Sequence, residues 1–266
     1  MTTAPSAERI RDALSDALKA KLIALDCYAA IGSTNDELMA APVPAPGEVR
    51  VAIADHQTAG RGRSGKTWHL PPGAGLCLSF ATTLPVDAAR IAPLTLSVGV
   101  ALTNALRALG ADAMIKWPND LVHDGHKLGG ILVERRNYPE GSSIVIGVGL
   151  NVQLPPGFGD NFDQPAALPP GDITTAVGNR IDRDMLAASV SNALHEACVA
   201  YAKTARPPSP DDWAPIDFLQ GRRITVESPG KALTGTAQGI AASGALCVSD
   251  DSGKTKTADS GSVRLL

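Results

Sequence analysis

Residues Gly60-Arg61-Gly62-Arg63-Ser64-Gly65-Lys66-Thr67-Trp68 carry three glycines, two arginines and a lysine in one short run. A backbone rich in glycine can approach an anion closely. Arginine adds fork-shaped donors that match phosphate or carboxylate. Like charges on a pliable loop predict a segment that orders around an anion. The competing reading is a solvated surface turn with chance arginines. The letters also satisfy GxxxxGK[ST], the phosphate-binding loop of many nucleotidases. That loop needs a helix opening at the Lys-Thr, so that backbone amides face the phosphates. Here Trp68-His69-Leu70 runs straight into Pro71-Pro72-Gly73, which leaves no room for one. A P-loop nucleotidase is therefore not expected.

A second cluster is Lys116-Trp117-Pro118-Asn119-Asp120, followed by Lys127-Leu128-Gly129-Gly130-Ile131-Leu132. Asp124-Gly125 between apolar runs predicts a hairpin turn. Lys127 then opens a strand, and Gly129 and Gly130 leave room beside it for a ligand or another backbone. The competing reading is a hairpin lysine on a solvated edge. His123 and His126 have no cysteine or carboxylate company at metal-ligand spacing and read as turn residues. A third run, Gly147-Val148-Gly149-Leu150-Asn151-Val152, places glycine at alternate positions of a strand. One face of that strand must lie opposite something bulky. Asn151 supplies an amide at its end.

Taken in order, Ser33-Thr34-Asn35, the GRGR of residues 60–63 with Trp68 shortly after, KWPND, KLGGIL and GVGLNV resemble the biotin protein ligases. The resemblance runs from Ser33 to Asn151 and more loosely through the C-terminal part. Lipoate ligases share the architecture, but the glycine-arginine loop is of the biotin type. The resemblance implies an α+β fold. Its catalytic domain would be a mixed sheet with packed helices, class II aminoacyl-tRNA synthetase-like, followed by a small SH3-like β-barrel. It implies an ATP-dependent ligase acting in two steps, first biotinyl-5′-AMP formation and then transfer of biotin to a lysine of a biotin carboxyl carrier protein.

By the same resemblance, Ser33, Thr34, Asn35 and Gln57 would hold the biotin head group, with Gly130 beside it. Arg61, Gly62 and Arg63 would close over the adenylate. Lys127 would meet the biotin carboxylate and the α-phosphate. Trp68, Lys116, Asn119 and Asn151 would surround the nucleotide. Asp120 would be a Mg²⁺ ligand or the proton acceptor for the incoming lysine, and the residues alone do not choose between these. ATP, Mg²⁺ and biotin are the implied cofactor and substrates. A homodimer through a sheet edge is a further implication. Ser64 and Lys66 stand where many relatives carry arginine, which keeps charge but loses fork geometry. Gly129 stands where alanine is also common. Residues 1–32 precede the first motif and read as one helix. A DNA-binding domain with its own core needs ~60 residues, so the monofunctional form without DNA binding is expected. The rival readings are a non-enzymatic biotin sensor or repressor and a lipoate-type ligase.

These groups need elements to hold them. Ile10, Leu14, Leu18 and Leu22 recur at helical spacing and predict one helix over 8–24. Ser33 or Thr34 can cap a short helix over 36–41. Residues 41–47 form a proline-rich connector. Strands are predicted at 49–54, 76–82, 114–116, 121–122, 127–134 and 143–151. A buried helix is predicted over 90–109, opening near Pro93, and an amphipathic one over 182–202. The stretch 153–172 is rich in Pro and Gly and long for an idle loop. The run 205–212 marks a boundary, giving domains 1–212 and 213–266. Short strands between glycine turns after residue 218 predict a small antiparallel barrel.

The whole chain has 266 residues, 19% charged residues and a formal net charge of −3, so a general nucleic-acid coat is excluded. Aromatic residues are only 4%, so aliphatic side chains must fill the core. The four cysteines, Cys27, Cys77, Cys198 and Cys247, form no CxxC pair and read as small buried hydrophobes in a reducing compartment. The opening residues show no apolar run behind a basic one and no window reaches ~18 apolar residues, so neither a signal peptide nor a membrane span is expected. A cytoplasmic protein with no membrane partner is expected.

Overall fold

The computed structural model describes residues 4–138, 141–160 and 168–266. Along the chain these form α1 (Ala7–Ala13), α2 (Asp16–Lys19), β1 (Leu22–Ile31), α3 (Thr34–Ala40), β2 (Val49–Gln57) and β3 (Gly75–Leu84). There follow α4 (Leu94–Ala108), β4 (Met114–Lys116), β5 (Asp120–His123), β6 (His126–Tyr138) and β7 (Gly141–Asn151). The helices α5 (Ile173–Val177), α6 (Arg183–Thr204) and α7 (Pro210–Trp213) lead to β8 (Arg223–Ser228), β9 (Lys231–Ile240), β10 (Leu246–Ser249), β11 (Thr255–Ala258) and β12 (Ser262–Leu265).

Seven strands form one mixed sheet in the order β1-β2-β3-β7-β6-β5-β4, with only the β1–β2 pair parallel. One face is apolar. Val51, Ile53, Leu78, Phe80, Ile146 and Val148 pack there against Leu94, Val98 and Leu102 of α4 and Leu186, Val190 and Leu194 of α6. The opposite face is built from small side chains. Ser79 pairs with Gly147, and Gly147 with Leu132, while Gly149 lies between Cys77 and Gly130. Alternating glycines along β7 thus make a low floor, and α3 covers part of it through Leu38 on Ala52, Ala81 and Val145.

The single helix expected over 8–24 is instead two short helices and the start of a strand. Leu14 is extended, and the side chains of Ser6 and Ser15 cap the first turns of α1 and α2 through Arg9 N and Leu18 N. Ile10, Leu14 and Leu18 are buried as their spacing predicted. From Leu22 the chain pairs with β2, and that long-range ladder overrides the local period. Strand β1 itself has an irregular exposure pattern, which explains why no alternation betrayed it.

The C-terminal strands form one antiparallel sheet in the order β11-β10-β9-β8-β12. It is open: among the described residues no ladder joins β11 to β12. Its core is shared with the larger sheet, since Ile224, Val226, Ala237 and Val248 cluster with Leu96, Ile115, Trp117 and Val122. Cys77 and Cys198 are buried, and burial pushes both thiols up to about 12. Cys27 and Cys247 are only half-buried. Among the described residues no helix is long and apolar enough to cross a membrane.

Candidate active site

A cavity of about 760 Å³ opens above the glycine floor, and the candidate residues of all three motif clusters line it, whereas Gly60, Gly65 and Gly129 do not. Its first wall is the N-terminus of α3. Ser33 caps that helix by accepting from Asp36 N. Thr34 donates to Gln57 Oε1 twice, from its backbone N at 2.7 Å and its hydroxyl at 2.9 Å. Behind them lies Ser79, fully buried, with Oγ 2.7 Å from Thr34 Oγ1 and 2.5 Å from Asn35 Oδ1. The Asn35 amide nitrogen donates to Glu134 Oε2 at 2.7 Å. A Cβ at Gly147 would overlap the Asn35 amide, so glycine there is a steric requirement. Ser79 and Glu134 escaped sequence reasoning. The available signal was a polar residue inside an otherwise apolar strand run.

The second wall is the glycine-arginine loop. It folds back on itself through Gly62 N to Lys66 O (2.7 Å) and Trp68 N to Gly60 O (2.9 Å). Ser64 has a φ of 56° at its tip. No helix follows Lys66, so the phosphate-loop match is a coincidence of letters. The like-charge repulsion expected within the loop is answered by partners remote in sequence. Arg61 donates to both oxygens of Glu134 (2.9 and 2.8 Å) and to Asp36 Oδ1 (2.6 Å). Arg63 donates to Asn119 Oδ1 at 3.1 Å. Burial pulls the Arg63 pKa down, opposed by the nearby Asp120 charge. The guanidinium is thus a desolvated cation whose direct partner here is a neutral amide.

The third wall is the β5–β6 hairpin. Lys127 Nζ lies 2.6 Å from Asp120 Oδ1 and 5.6 Å from the centroid of the Trp68 ring. Lys116 Nζ is 3.8 Å from Asp120 Oδ2, and burial pulls the Lys116 pKa down. One carboxylate therefore serves two lysines. The Lys127 backbone is fixed by Pro169 O and Gly171 N. The Asn151 amide donates to Lys127 O (3.0 Å) and Gly171 O (2.8 Å), so it braces the lysine as well as lining the cavity. The proline-rich stretch is not idle: Phe158 and Leu154 pack with Trp68 and Leu70, although residues 161–167 lie outside the described residues. Trp68 lies against Gly149, where a Cβ would come within 2.5 Å of the indole.

The C-terminal sheet closes the far side, where Glu227 and Gly261, Ser262, Val263 and Arg264 line the cavity. Trp117 anchors the hairpin to that sheet by donating Nε1 to Gly244 O at 3.2 Å. No local sequence pattern announced this contribution. His123 and His126 bond to backbone carbonyls of Asp112 and Asp124, as turn residues would.

Asp120 was a candidate for Mg²⁺, but the donor set does not suit a resident ion. Among the described residues no group of three or more His, Cys, Asp or Glu could hold a metal. The Asp120 carboxylate already faces two ammonium groups, which oppose a dication at the same oxygens.

Comparison with known proteins gives this geometry a family. Residues 30–151 match the model of the biotin/lipoate A/B protein ligase family, and residues 220–266 match that of the biotin protein ligase C-terminal domain. The biotin--[acetyl-CoA-carboxylase] ligase of Mycobacterium tuberculosis is 35% identical over 246 residues, covering 90% of this chain and 88% of that protein. The bifunctional ligase/repressor BirA of Escherichia coli is 34% identical over 227 residues, covering 83% of this chain and 68% of that protein. The structure of the Aquifex aeolicus biotin protein ligase in complex with biotin and ATP superposes with a TM-score of 0.71 at 22% identity, covering 92% of this chain and 98% of that one. With the ordered motifs meeting in one cavity and both family models matching in sequence order, the chain belongs to the biotin protein ligase family.

Proposed function

We propose that the protein activates biotin with ATP to biotinyl-5′-AMP and transfers the biotinyl group to a lysine of a biotin carboxyl carrier protein. The observation that carries this reading is the convergence of Lys127, Arg63 and Lys116 on one cavity whose other end is the uncharged Thr34–Gln57 wall. A neutral, polar head group suits the second region. Joined anions suit the first.

In the first step a biotin carboxylate oxygen attacks the α-phosphorus of ATP. The O–P bond forms, the bond to the β-phosphate oxygen breaks, and pyrophosphate leaves. Two anions approach each other, so fixed positive charge lowers the barrier most effectively where it is already in place. Lys127 is so placed, because its backbone is pinned on both sides and its ammonium lies over the Trp68 ring. In the second step the carrier amine attacks the acyl carbon and AMP leaves. The amine must shed a proton, and Asp120 is the carboxylate beside the reacting centre that can take it. The nucleotide brings its own Mg²⁺, and no residue is assigned to the ion.

The finer architecture belongs to the same proposal. A boundary near residue 212 is supported by the run 205–212 and by the separate C-terminal sheet, while a class II synthetase-like catalytic part and an SH3-like C-terminal part rest on the family resemblance. The test is direct. Protein, biotin and ATP are mixed and the products analysed by mass spectrometry for biotinyl-AMP. A carrier domain is then added and probed with streptavidin. Absence of both products overturns the assignment. ADP formed without biotin would point to a nucleotidase instead.

One consequence concerns the concealed serine. Ser79→Ala removes the hydroxyl that lies against Thr34 Oγ1 and Asn35 Oδ1, and with it the single proton it can donate to one of these two buried oxygens. A lost buried hydrogen bond costs about 1–3 kcal/mol. The apparent affinity for biotin is expected to fall about tenfold, with the affinity for ATP unchanged, as titration calorimetry would read.

A further inference from the structure

Glu134 sits where two parts of the site meet. Its Oε2 accepts from the Asn35 amide (2.7 Å) and from Arg61 Nη2 (2.8 Å), and its Oε1 accepts from Arg61 Nη1 (2.9 Å). Asn35 belongs to the helix wall and Arg61 to the loop, so one carboxylate bridges elements that make no ladder with each other. Asp36 extends the bridge, placing Oδ1 2.6 Å from Arg61 Nη2. The Glu134 side chain is only 22% exposed, whereas that of Asp36 is 58% exposed, which makes Glu134 the stronger anchor. The pair is bidentate, an arrangement that fixes direction as well as distance. The hydrogen bond to Glu134 is also the leading cause of a raised Arg61 pKa.

The Arg61 guanidinium is therefore engaged by two carboxylates that do not themselves line the cavity, although Arg61 does. In the loop's own closing bonds, Gly62 N to Lys66 O and Trp68 N to Gly60 O, the Arg61 N–H takes no part. A side chain tied down in this way restrains the backbone at Arg61–Gly62, which lines the cavity.

We propose that Glu134 is a positioning residue that latches the glycine-arginine loop to the Asn35 wall through Arg61, so that filling of the head-group pocket and order in the loop are coupled. The proposal rests on the biotin reading for its ligand, but the latch itself does not. Hydrogen exchange of the peptide spanning residues 60–68, measured by mass spectrometry on the full chain without any ligand, tests the latch alone. Glu134→Gln keeps the shape and one acceptor for Asn35 but removes the charge. It is expected to raise exchange in the loop about tenfold, the scale of losing a charge-assisted bond. Arg61→Met is expected to do the same, and the double variant no more than either single one.

The same variants are then titrated with biotin. A roughly tenfold weaker Kd, with the KM for ATP unmoved, is expected for Glu134→Gln, and added biotin should protect the loop in the wild type more than in the variant. Unchanged exchange in both single variants, or fully additive effects, overturns the latch. If Glu134→Gln does not fold, Arg61→Met decides, since Arg61 is partly exposed and on a loop. If the wild-type loop responds to the variants as expected but biotin does not bind, the latch stands and the ligand assignment fails.

Discussion

Lys127→Ala is expected to slow biotinyl-adenylate formation about 10²-fold or more, the scale seen when one preorganised electrostatic stabiliser is removed. Two effects add. The cation leaves the place where the carboxylate and the α-phosphate meet. In addition, Asp120 loses its partner at 2.6 Å and keeps only Lys116 at 3.8 Å. An undercompensated carboxylate then faces two incoming anions and repels them. Lys127→Met retains an aliphatic side chain of similar length without the ammonium that lies over Trp68, and so separates lost charge from lost packing. Global stability should change little, because the Lys127 ammonium is partly exposed and such ion pairs contribute modestly. Single-turnover release of pyrophosphate measures the chemical step. A near-wild-type rate in both variants would remove Lys127 from the first step. A slow rate in the alanine variant alone would assign it to packing.

This lysine also illustrates what the sequence could reveal. Asp124-Gly125 forms a hairpin because both residues take positive φ, and that local rule puts Lys127 at the head of β6. The alternating glycines of β7 likewise announced a bulky neighbour, and Trp68 and Asn35 occupy those places. Strands and helices with strong local signals fell close to their expected limits, as β3, α4 and α6 show. What escaped depends on long-range pairing. The first strand takes its conformation from β2, not from its own composition. The partners of Arg61 come from α3 and β6, separated from it by 25 and 73 positions, so the loop looked like an unrelieved cluster of charge. The C-terminal side of the cavity depends on a packing of two sheets around Trp117 that no short motif encodes.

Arg63→Gly is expected to release biotinyl-adenylate about 10- to 100-fold faster, which is the loss of one charge-assisted hydrogen bond of roughly 1.5–3 kcal/mol. Arg63 differs from Arg61 in its company. Arg61 is neutralised by Glu134 and Asp36, whereas Arg63 meets the neutral Asn119 amide. Burial without a matching anion is unfavourable to the guanidinium, as the downward pull on its pKa indicates. A phosphate arriving beside it relieves that penalty, so its interaction with the adenylate is stronger than a solvated arginine would give. Lys66 keeps positive charge in the loop, but as an exposed point charge it does not replace a planar fork. Glycine also loosens the backbone, so Arg63→Met is the companion variant: equal leakage from both assigns the effect to the cation, and leakage from glycine alone assigns it to the chain. The off-rate is read by chasing preformed radiolabelled adenylate with excess unlabelled biotin and ATP. An unchanged off-rate in the methionine variant would mean that the loop retains its product by enclosure alone.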